Sequence, residues 1–136
     1  MSATITCVLI DDDMDDQEIF LYVMREINPD IFCRFFNDGD EAVRALQKEK
    51  DFLPDYLFID LNMPRMSGMT CLREIKKIER LKKVPAAIYT TSSDPGDKNN
   101  ALQAGADAFI VKEASMDDLK PGLEAFLTNA PGKHHA

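Results

Sequence analysis

The sequence predicts an α/β fold in which five strands and five helices alternate, (βα)5, to form one doubly wound, five-stranded parallel sheet. Two observations lead to this class. Short apolar runs rich in aromatic and branched residues recur along the chain, as is typical of strands buried on both faces. The stretches between these runs carry apolar residues at helical spacing. Strands that alternate with helices form a parallel sheet with helices on both faces and right-handed crossovers.

The first strand is predicted over residues 5–10, and it ends at the acidic run 11–13. A helix is predicted over 15–27, with Asp15 or Asp16 as its N-cap, because acids suit the positive end of a helix dipole. The apolar residues at helical spacing in this segment are Ile19, Tyr22 and Val23. Asn28-Pro29 then stops the helix.

The second pair of elements is a strand over residues 31–36 and a helix over 40–50, joined by the turn Asn37-Asp38-Gly39. The helix is predicted to bury Ala42, Val43 and Leu46. The third strand, residues 56–59, is short and wholly apolar, and it ends abruptly at Asp60. A carboxylate at the end of such a strand is unusual, and it makes Asp60 the first candidate for a reactive group.

The third helix is predicted over residues 69–81, after a loop that begins at Pro64, with Leu72, Ile75 and Ile78 on its apolar face. A fourth strand follows over 84–89, and Asp94-Pro95-Gly96 opens a helix that runs to about residue 104. The fifth strand is predicted over 106–111. The last helix is predicted over 117–127, with Pro121 in its first turn and with Leu119, Leu123 and Phe126 buried.

Composition excludes several classes of function. The 136 residues are 45% hydrophobic and 29% charged, which suits one globular domain. We expect this domain to span residues 1–128, followed by a tail over 129–136. Without a long apolar run or a signal peptide, we expect a cytoplasmic protein with no membrane partner. The net charge of −8 argues against nucleic acid as a partner. The cysteines are too far apart for a metal cluster and predict reduced core thiols: Cys7, Cys33 and Cys71.

Four of the predicted strands end in side chains capable of polar chemistry. The first is followed by Asp11 and Asp12, the third by Asp60, the fourth by Thr90 and the fifth by Lys112. Sites in open α/β sheets form at the carboxyl ends of the strands. In a doubly wound sheet these ends meet at one edge, which then holds three carboxylates, one hydroxyl and one ammonium.

Two of these assignments depend on where a strand ends. Asp11 and Asp12 are preferred to Asp13 because Asp11 directly follows the apolar run, and Thr90 is preferred to Thr91 because it completes the strand pattern. The other acids near the first strand are expected only to cap the helix and to face solvent: Asp13, Asp15 and Asp16.

This set of side chains has the parts for phosphoryl transfer. Three neighbouring carboxylates repel one another unless a cation lies between them, and an oxygen-only cluster favours a hard ion such as Mg²⁺ with retained waters. A lysine binds an anionic oxygen as a point charge, and a threonine hydroxyl donates to another. A carboxylate nucleophile, a metal and donors to phosphoryl oxygens are what such a reaction needs.

These residues stand in segments that resemble the receiver domain of two-component response regulators, of the stand-alone, chemotaxis-regulator-like type. The resemblance covers residues 5–127, and its matching segments are residues 8–13, 58–64 with Ser67-Gly68, 88–90 and 105–112. It implies a flavodoxin-like arrangement of the (βα)5 fold. It also implies a phosphoprotein of a two-component system or phosphorelay, which is not classed as an enzyme although it assists its own phosphorylation and dephosphorylation.

The resemblance implies a role for each matched residue. Asp60 would be the phosphoacceptor, which attacks the phosphoryl group of a phosphohistidine. Asp12 would bind Mg²⁺ directly and Asp11 largely through water, with Asp60 and the backbone carbonyl of Asn62 as further ligands. Thr90 and Lys112 would each contact a phosphoryl oxygen. Phe109 would be the aromatic switch that turns inward when the Thr90 hydroxyl is drawn to the phosphoryl group. Asn62 and Ser92 would tune the lifetime of the aspartyl phosphate.

The chain departs from the family pattern at Glu113, where proline usually follows the lysine, often after a cis bond. A cis bond before a non-proline residue costs roughly 2.5–4 kcal/mol, so either the bond is trans or strain is tolerated there. The implied partners are a sensor histidine kinase or a histidine phosphotransfer protein and an unknown output partner docked over residues 95–127, unless the phosphoryl group passes to another histidine. We expect no effector domain after the fifth helix.

Two other functions compete with this interpretation. The chain could be a receiver-fold interaction module that docks without phosphorylation, but loss of an acid, the threonine or the lysine would be expected then, and none is lost. A metal-dependent phosphohydrolase with an aspartyl nucleophile would need a second acid two residues after it, where this chain has Asn62.

Overall fold

The computed structural model describes residues 4–129, which form an alternating series of strands and helices. Its elements are β1 (Ile5–Ile10), α1 (Met14–Ile27), β2 (Ile31–Phe36), α2 (Gly39–Lys48), β3 (Tyr56–Ile59), α3 (Gly68–Lys76), the 3₁₀ helix η1 (Glu79–Leu81), β4 (Ala86–Thr90), α4 (Pro95–Gln103), β5 (Ala108–Val111) and α5 (Met116–Asn129). Of the predicted tail, Asn129 is the last residue of α5 and the rest lies outside the described residues.

The strands form one parallel sheet in the order β2-β1-β3-β4-β5. The order reverses between β1 and β3, which is the topological switch point of a doubly wound sheet. The predicted (βα)5 architecture is therefore confirmed.

Helices cover both faces of the sheet. One buried apolar cluster lies under α1 and α5 and includes Phe20, Val23, Leu119 and Leu123, and the other lies under α2, α3 and α4. β3 is buried at every position, because it has helices above and below and strands on both sides. The predicted inward residues of the second and fifth helices are buried: Ala42, Val43, Leu46, Leu119, Leu123 and Phe126.

The predicted start and apolar face of α1 were partly wrong. The helix begins at Met14, and its N-cap is Asp13, whose carboxylate accepts hydrogen bonds from the backbone N–H groups of Asp15 and Asp16. Its buried residues are Phe20, Val23 and Met24, whereas Tyr22 is 55% exposed. One residue of rotation in a 3.6-residue period accounts for the difference.

The single helix predicted over residues 69–81 is two helices. α3 ends at Lys76, and η1 follows after a break at Ile78. The break lets the Arg80 guanidinium donate to the backbone carbonyls of Leu46, Glu49 and Phe52, in the last turn of α2 and the connector after it. The Lys76 ammonium donates to the carbonyls of Lys82 and Val84. Hydrogen bonds from side chains to the carbonyls of other segments cannot be predicted from the spacing of apolar residues along one helix.

The last helix begins one residue earlier than predicted, at Met116. Ser115 caps it, since its hydroxyl accepts from the Asp118 N–H at 3.1 Å and its carbonyl accepts from the Leu119 N–H at 3.0 Å. Pro121 therefore lies in the second turn, inside the helix, and not in the first turn as predicted.

The three cysteines are free thiols, with Cys7 and Cys71 buried and Cys33 partly so. Within residues 4–129, no helix has both the length and the apolar character needed to cross a bilayer.

Candidate functional site

Two strands at the switch point bring the central carboxylates together. The Asp60 N–H donates to the carbonyl of Ile10 at 2.9 Å, and the Asp11 N–H donates to the carbonyl of Phe36 at 3.0 Å. These bonds extend the ladders of the sheet by one residue beyond β3 and β1. The side chains that follow the two strands are therefore fixed by backbone geometry at one edge.

Asp11, Asp12 and Asp60 form a compact acidic cluster. Each offers a carboxylate oxygen, and these oxygens lie within 4.8 Å of one another. Asp11 is fully buried, Asp60 is 6% exposed and Asp12 is exposed to solvent. One oxygen of Asp11 accepts the Asp13 N–H at 3.0 Å. The cluster thus has a buried floor and an open side, as expected for a site that exchanges ligands with solvent.

Lys112 supplies the cation of the site. Its ammonium lies 2.8 Å from Oδ2 of Asp11, 2.8 Å from Oδ2 of Asp16 and 3.6 Å from Oδ1 of Asp60. The contact with Asp16 is an aligned hydrogen bond, whereas Oδ2 of Asp11 is contacted without hydrogen-bond alignment. The Lys112 side chain is only 9% exposed, and its ammonium lies over the Tyr89 ring, 5.2 Å from the centroid. Its charge therefore acts in a poorly solvated position.

Asp16 was expected only to cap the helix and to face solvent, and this expectation was wrong. It lies in the first turn of α1 with its side chain 30% exposed, and it is paired with Lys112 from the far end of the chain. The signal was present in the sequence. Asp16 precedes the buried residue Phe20 by four positions, so the two share one face of the helix.

Burial sets the protonation chemistry of the cluster. It raises the pKa of Asp60 to about 6, although the nearby Lys112 ammonium opposes the rise. Burial also raises the pKa of Asp11 against the same opposing charge. For Lys112, burial by itself would lower the pKa, but the close contacts with the carboxylates of Asp11 and Asp16 outweigh it and raise the pKa. The ammonium is therefore charged at neutral pH, whereas burial makes ionisation of Asp11 and Asp60 unfavourable.

Thr90 is the last residue of β4 and is fully buried, whereas Thr91 is exposed. β4 lies next to β3, so Thr90 reaches the same edge as Asp60. Its hydroxyl oxygen accepts the Ser92 N–H at 3.2 Å, which leaves the hydroxyl proton available for an acceptor. The Ser92 hydroxyl donates to Asp97 at 2.6 Å.

Phe109 is partly buried and packs against the apolar cluster under α2, α3 and α4. It pairs with Ile88, two residues before Thr90, so Thr90 and Phe109 lie on the same face of the sheet. Asn62 is exposed, and its N–H approaches Oδ1 of Asp60 at 3.5 Å.

The β3–α3 loop, residues 60–67, is fixed by backbone contacts. The Gly68 N–H donates to the Leu61 carbonyl at 2.8 Å, and a Cβ on Gly68 would stand 2.2 Å from the backbone oxygen of Asp60. Only glycine fits this approach. Arg65 has a φ of 68°, in the left-handed region, and its guanidinium pairs with Asp38 at 2.8 Å.

The β5–α5 loop, residues 112–115, is attached differently. The Lys112 N–H donates to the Thr90 carbonyl at 2.6 Å, and the side chain of Lys112 is held by the carboxylates of Asp11 and Asp16. The Lys112–Glu113 peptide bond is trans, as all described peptide bonds are. Glu113 in place of the expected proline is thus accommodated without a cis bond.

The donor set suits a hard divalent cation. Three carboxylates converge, and the Lys112 ammonium that lies beside them is also paired with a fourth acid, Asp16, so that negative charges outnumber the positive one. Oδ2 of Asp11 is buried and forms no hydrogen bond. Oxygen-only ligands with excess negative charge and one open side are the environment that Mg²⁺ or Mn²⁺ prefers.

Comparison with known proteins agrees with this geometry. Residues 7–124 match the family model of the response regulator receiver domain. The response regulator Rcp1 of Synechocystis is 26% identical over 126 residues, which cover 88% of this chain and 86% of Rcp1. The two-component response regulator PhoP of Pseudomonas aeruginosa is 34% identical over 92 residues, which cover 68% of this chain but only 40% of PhoP.

Solved structures share the fold. The Mn²⁺-bound form of Rcp1 superposes with a TM-score of 0.78 at 24% identity and covers 91% of this chain and 92% of that one. The receiver domain of the sensor histidine kinase PA1611 from Pseudomonas aeruginosa, which has a magnesium ion coordinated in its active site cleft, superposes with a TM-score of 0.75 at 24% identity and covers 93% and 100%. Receiver structures with this fold thus bind divalent metals. The chain itself belongs to the response regulator receiver family and is a receiver domain of a response regulator in two-component signalling.

Proposed function

We propose that Asp60 accepts a phosphoryl group from the phosphohistidine of a sensor histidine kinase or of a histidine phosphotransfer protein in the cytoplasm. The observation that carries the proposal is the environment of Asp60. This carboxylate ends the central strand, is 6% exposed, and has two further carboxylates and one ammonium around it. Such a group is available for attack and is surrounded by what a transferred phosphoryl group needs.

In the proposed step, a carboxylate oxygen of Asp60 attacks the phosphorus atom. The new P–O bond forms as the P–N bond to the imidazole breaks, and the imidazole takes up a proton as it leaves. The Lys112 ammonium, 3.6 Å from Oδ1 of Asp60, would hold one phosphoryl oxygen, and the Thr90 hydroxyl would donate to another.

Asp11, Asp12, Asp60 and the backbone carbonyl of Asn62 would hold Mg²⁺, as the hard oxygen donors of the cluster suggest. When bound, the ion supplies positive charge that offsets the phosphoryl oxygens. The chain's own contribution is to keep Asp60 at the end of the central strand beside Lys112, so that its oxygen is free to attack.

Phosphorylation is proposed to shift a two-state equilibrium. If the Thr90 hydroxyl moves toward the phosphoryl group, Phe109, which shares its face of the sheet and is only partly buried, can move inward. The output would be read by a partner on the surface formed by α4, β5 and α5, or the group would pass to another histidine. In this role the protein is a phosphoacceptor whose chemistry serves signalling.

The test is phosphorylation of the full chain by acetyl phosphate with Mg²⁺, followed by intact-mass analysis. One added phosphoryl group is expected on the wild-type protein, none on Asp60→Asn, and none when EDTA removes the metal. Asp15→Asn is the matched control, since it removes one exposed acid of the same stretch and should leave the adduct intact.

Failure of the wild-type protein to gain a phosphoryl group from acetyl phosphate, phosphoramidate or a phosphorylated histidine phosphotransfer protein would contradict the proposal. That result would favour the alternative function, a receiver-fold interaction module that docks without phosphorylation.

A further inference from the structure

Lys112 is held by two carboxylates, and only one of them belongs to the acidic cluster. Asp11 and Asp16 both lie 2.8 Å from the Lys112 ammonium. Asp11 is also one of the three acids whose oxygens lie within 4.8 Å of one another, whereas Asp16 is outside that group. Of the two carboxylates that contact the ammonium, Asp11 could therefore also bind a cation held by the acidic cluster, whereas Asp16 is outside that cluster.

The position of Asp16 is fixed by the start of α1. Its backbone N–H donates to the N-cap carboxylate of Asp13 at 3.1 Å. The side chain lies on the face of the helix that includes the fully buried residue Phe20, and it is itself 30% exposed. The carboxylate thus approaches Lys112 from a rigid helix and not from a mobile loop.

A divalent cation would weaken the contact between Asp11 and Lys112 but not the contact between Asp16 and Lys112. Oδ1 of Asp11 already accepts the Asp13 N–H, so its free oxygen is Oδ2, the atom that touches Lys112. An ion held by the acidic cluster would compete with the ammonium for this oxygen. Asp16 has no such competitor, and its contact with Lys112 is the better aligned of the two.

We propose that Asp16 is a positioning residue that keeps the Lys112 ammonium beside Asp60 when a divalent cation engages Asp11. An ammonium has three N–H donors. With one directed at Asp16, another remains for Oδ1 of Asp60, 3.6 Å away, or for the phosphoryl oxygen that replaces it under the proposed function, on which this inference rests. Asp16 acts through Lys112 and does not itself touch the reacting atoms.

The first test does not require phosphorylation. Lysines of the full chain are acylated with sulfo-NHS-acetate, with and without Mg²⁺, and the rate at Lys112 is followed by peptide mass mapping. In Asp16→Asn, Mg²⁺ should raise the rate at Lys112 by about tenfold, the size expected for loss of one charge-assisted hydrogen bond. In the wild-type protein and in Asp15→Asn, the rate should stay low under both conditions.

Lys76 serves as an internal reference, since it is half-buried and bonded to the carbonyls of Lys82 and Val84. Equal labelling of Lys112 in Asp16→Asn and Asp15→Asn with Mg²⁺ would overturn the proposal. A parallel rise at Lys76 would also overturn it, because the substitution would then have loosened the fold in general.

The second test measures the rate of phosphorylation by acetyl phosphate at saturating Mg²⁺. The rate should fall by about tenfold in Asp16→Asn, should recover in part in Asp16→Glu, and should be unchanged in Asp15→Asn. An unchanged rate in Asp16→Asn would overturn the proposal. If neither the wild-type protein nor Asp15→Asn is phosphorylated, the proposed function fails, and the labelling of Lys112 still decides the role of Asp16.

Discussion

The two loops that flank Asp60 are held in place by different kinds of force. The β3–α3 loop is fixed by close backbone packing, with Gly68 against the backbone of Asp60 and Leu61. The β5–α5 loop is fixed mainly by charge, through the contacts of Lys112 with Asp11 and Asp16. The backbone packing leaves no room for a Cβ at Gly68, whereas the contacts of Lys112 depend on charge. The backbone of Asp60 is thus fixed by close packing, and its carboxylate is placed next to a charged side chain.

The largest effect is expected from breaking the packed loop with Gly68→Ala. The new Cβ would stand 2.2 Å from the Asp60 oxygen and 2.8 Å from the Leu61 Cα, both backbone atoms that cannot move aside. We expect the free energy of unfolding in urea to fall by more than about 4 kcal/mol, in the range that single substitutions seldom reach.

Gly122→Ala is the matched control for this substitution. Its Cβ would lie 3.6 Å from the Ile110 side chain, an ordinary contact, inside α5. We expect it to stabilise the protein by roughly 0.5–1 kcal/mol, because alanine favours a helix over glycine. Similar stabilities for Gly68→Ala and Gly122→Ala would show that the loop is not fixed by backbone packing.

The next effect is expected from breaking the charged loop with Lys112→Met. The substitution leaves Asp11 and Asp60 without their nearest cation in a buried site. We expect a loss of about 3 kcal/mol in the free energy of unfolding at pH 8 without metal, as for other buried pairs that lose one partner. Lys98→Met, at an exposed position on α4, should change it by less than about 0.5 kcal/mol. An equally small change in Lys112→Met would show that Lys112 does not hold the loop.

Because the Asp60 carboxylate is ionised in a buried position beside other acids, we predict that Asp60→Asn stabilises the metal-free protein. The folded-state pKa of Asp60, about 6, is above its usual value of 3.8 because of burial. The folded protein therefore binds this proton more tightly than the unfolded chain does, and stability falls as pH rises from about 4 to about 6. Removal of the charge should raise the free energy of unfolding by up to about 3 kcal/mol above pH 6 and by almost nothing near pH 4.

Thermal unfolding of Asp60→Asn and wild type at pH 4.5 and pH 8, both with EDTA, measures this difference. A gap between the two proteins that does not grow with pH would show that burial of the Asp60 charge is not what destabilises the site.

The smallest effect is expected from Arg65, where backbone strain in the packed loop can be adjusted. Arg65 has a φ of 68°, and its guanidinium forms an exposed ion pair with Asp38. Arg65→Gly relieves the strain but loses the pair, so the net change should be within about 1 kcal/mol. Arg65→Val, which is branched at Cβ, should destabilise by about 1–2 kcal/mol in urea unfolding. Equal stability of the two variants would contradict the assignment of strain to this residue.

Strand patterns and strand ends were enough to predict most of the fold and which side chains meet at the carboxyl edge of the sheet. Asp11, Asp60 and Lys112 each follow an apolar run, and parallel strands place such residues at one edge by geometry alone. The break of α3 at Ile78 could not be predicted in this way, because it places Arg80 against carbonyls of a segment about 30 positions earlier. Local periodicity contains no information on such contacts.

The pairing of Asp16 with Lys112 was missed for a related reason. The two residues are 96 positions apart, and an acid in the first turn of a helix has an ordinary role as a capping or solvated group. Asp16 lies on the same face of α1 as Phe20, which is buried. The predicted buried face of α1 was instead based on Tyr22, which is exposed. A correct phase would have placed Asp16 at the site.

The most direct test of the central claim, that Asp60 is the phosphoacceptor, is to locate the phosphoryl group on the chain. After phosphorylation by acetyl phosphate with Mg²⁺, borohydride reduction converts an aspartyl phosphate to homoserine, which peptide mass spectrometry then locates. We predict homoserine at position 60 in the wild-type chain. Homoserine at another aspartate, or at none, would contradict the claim.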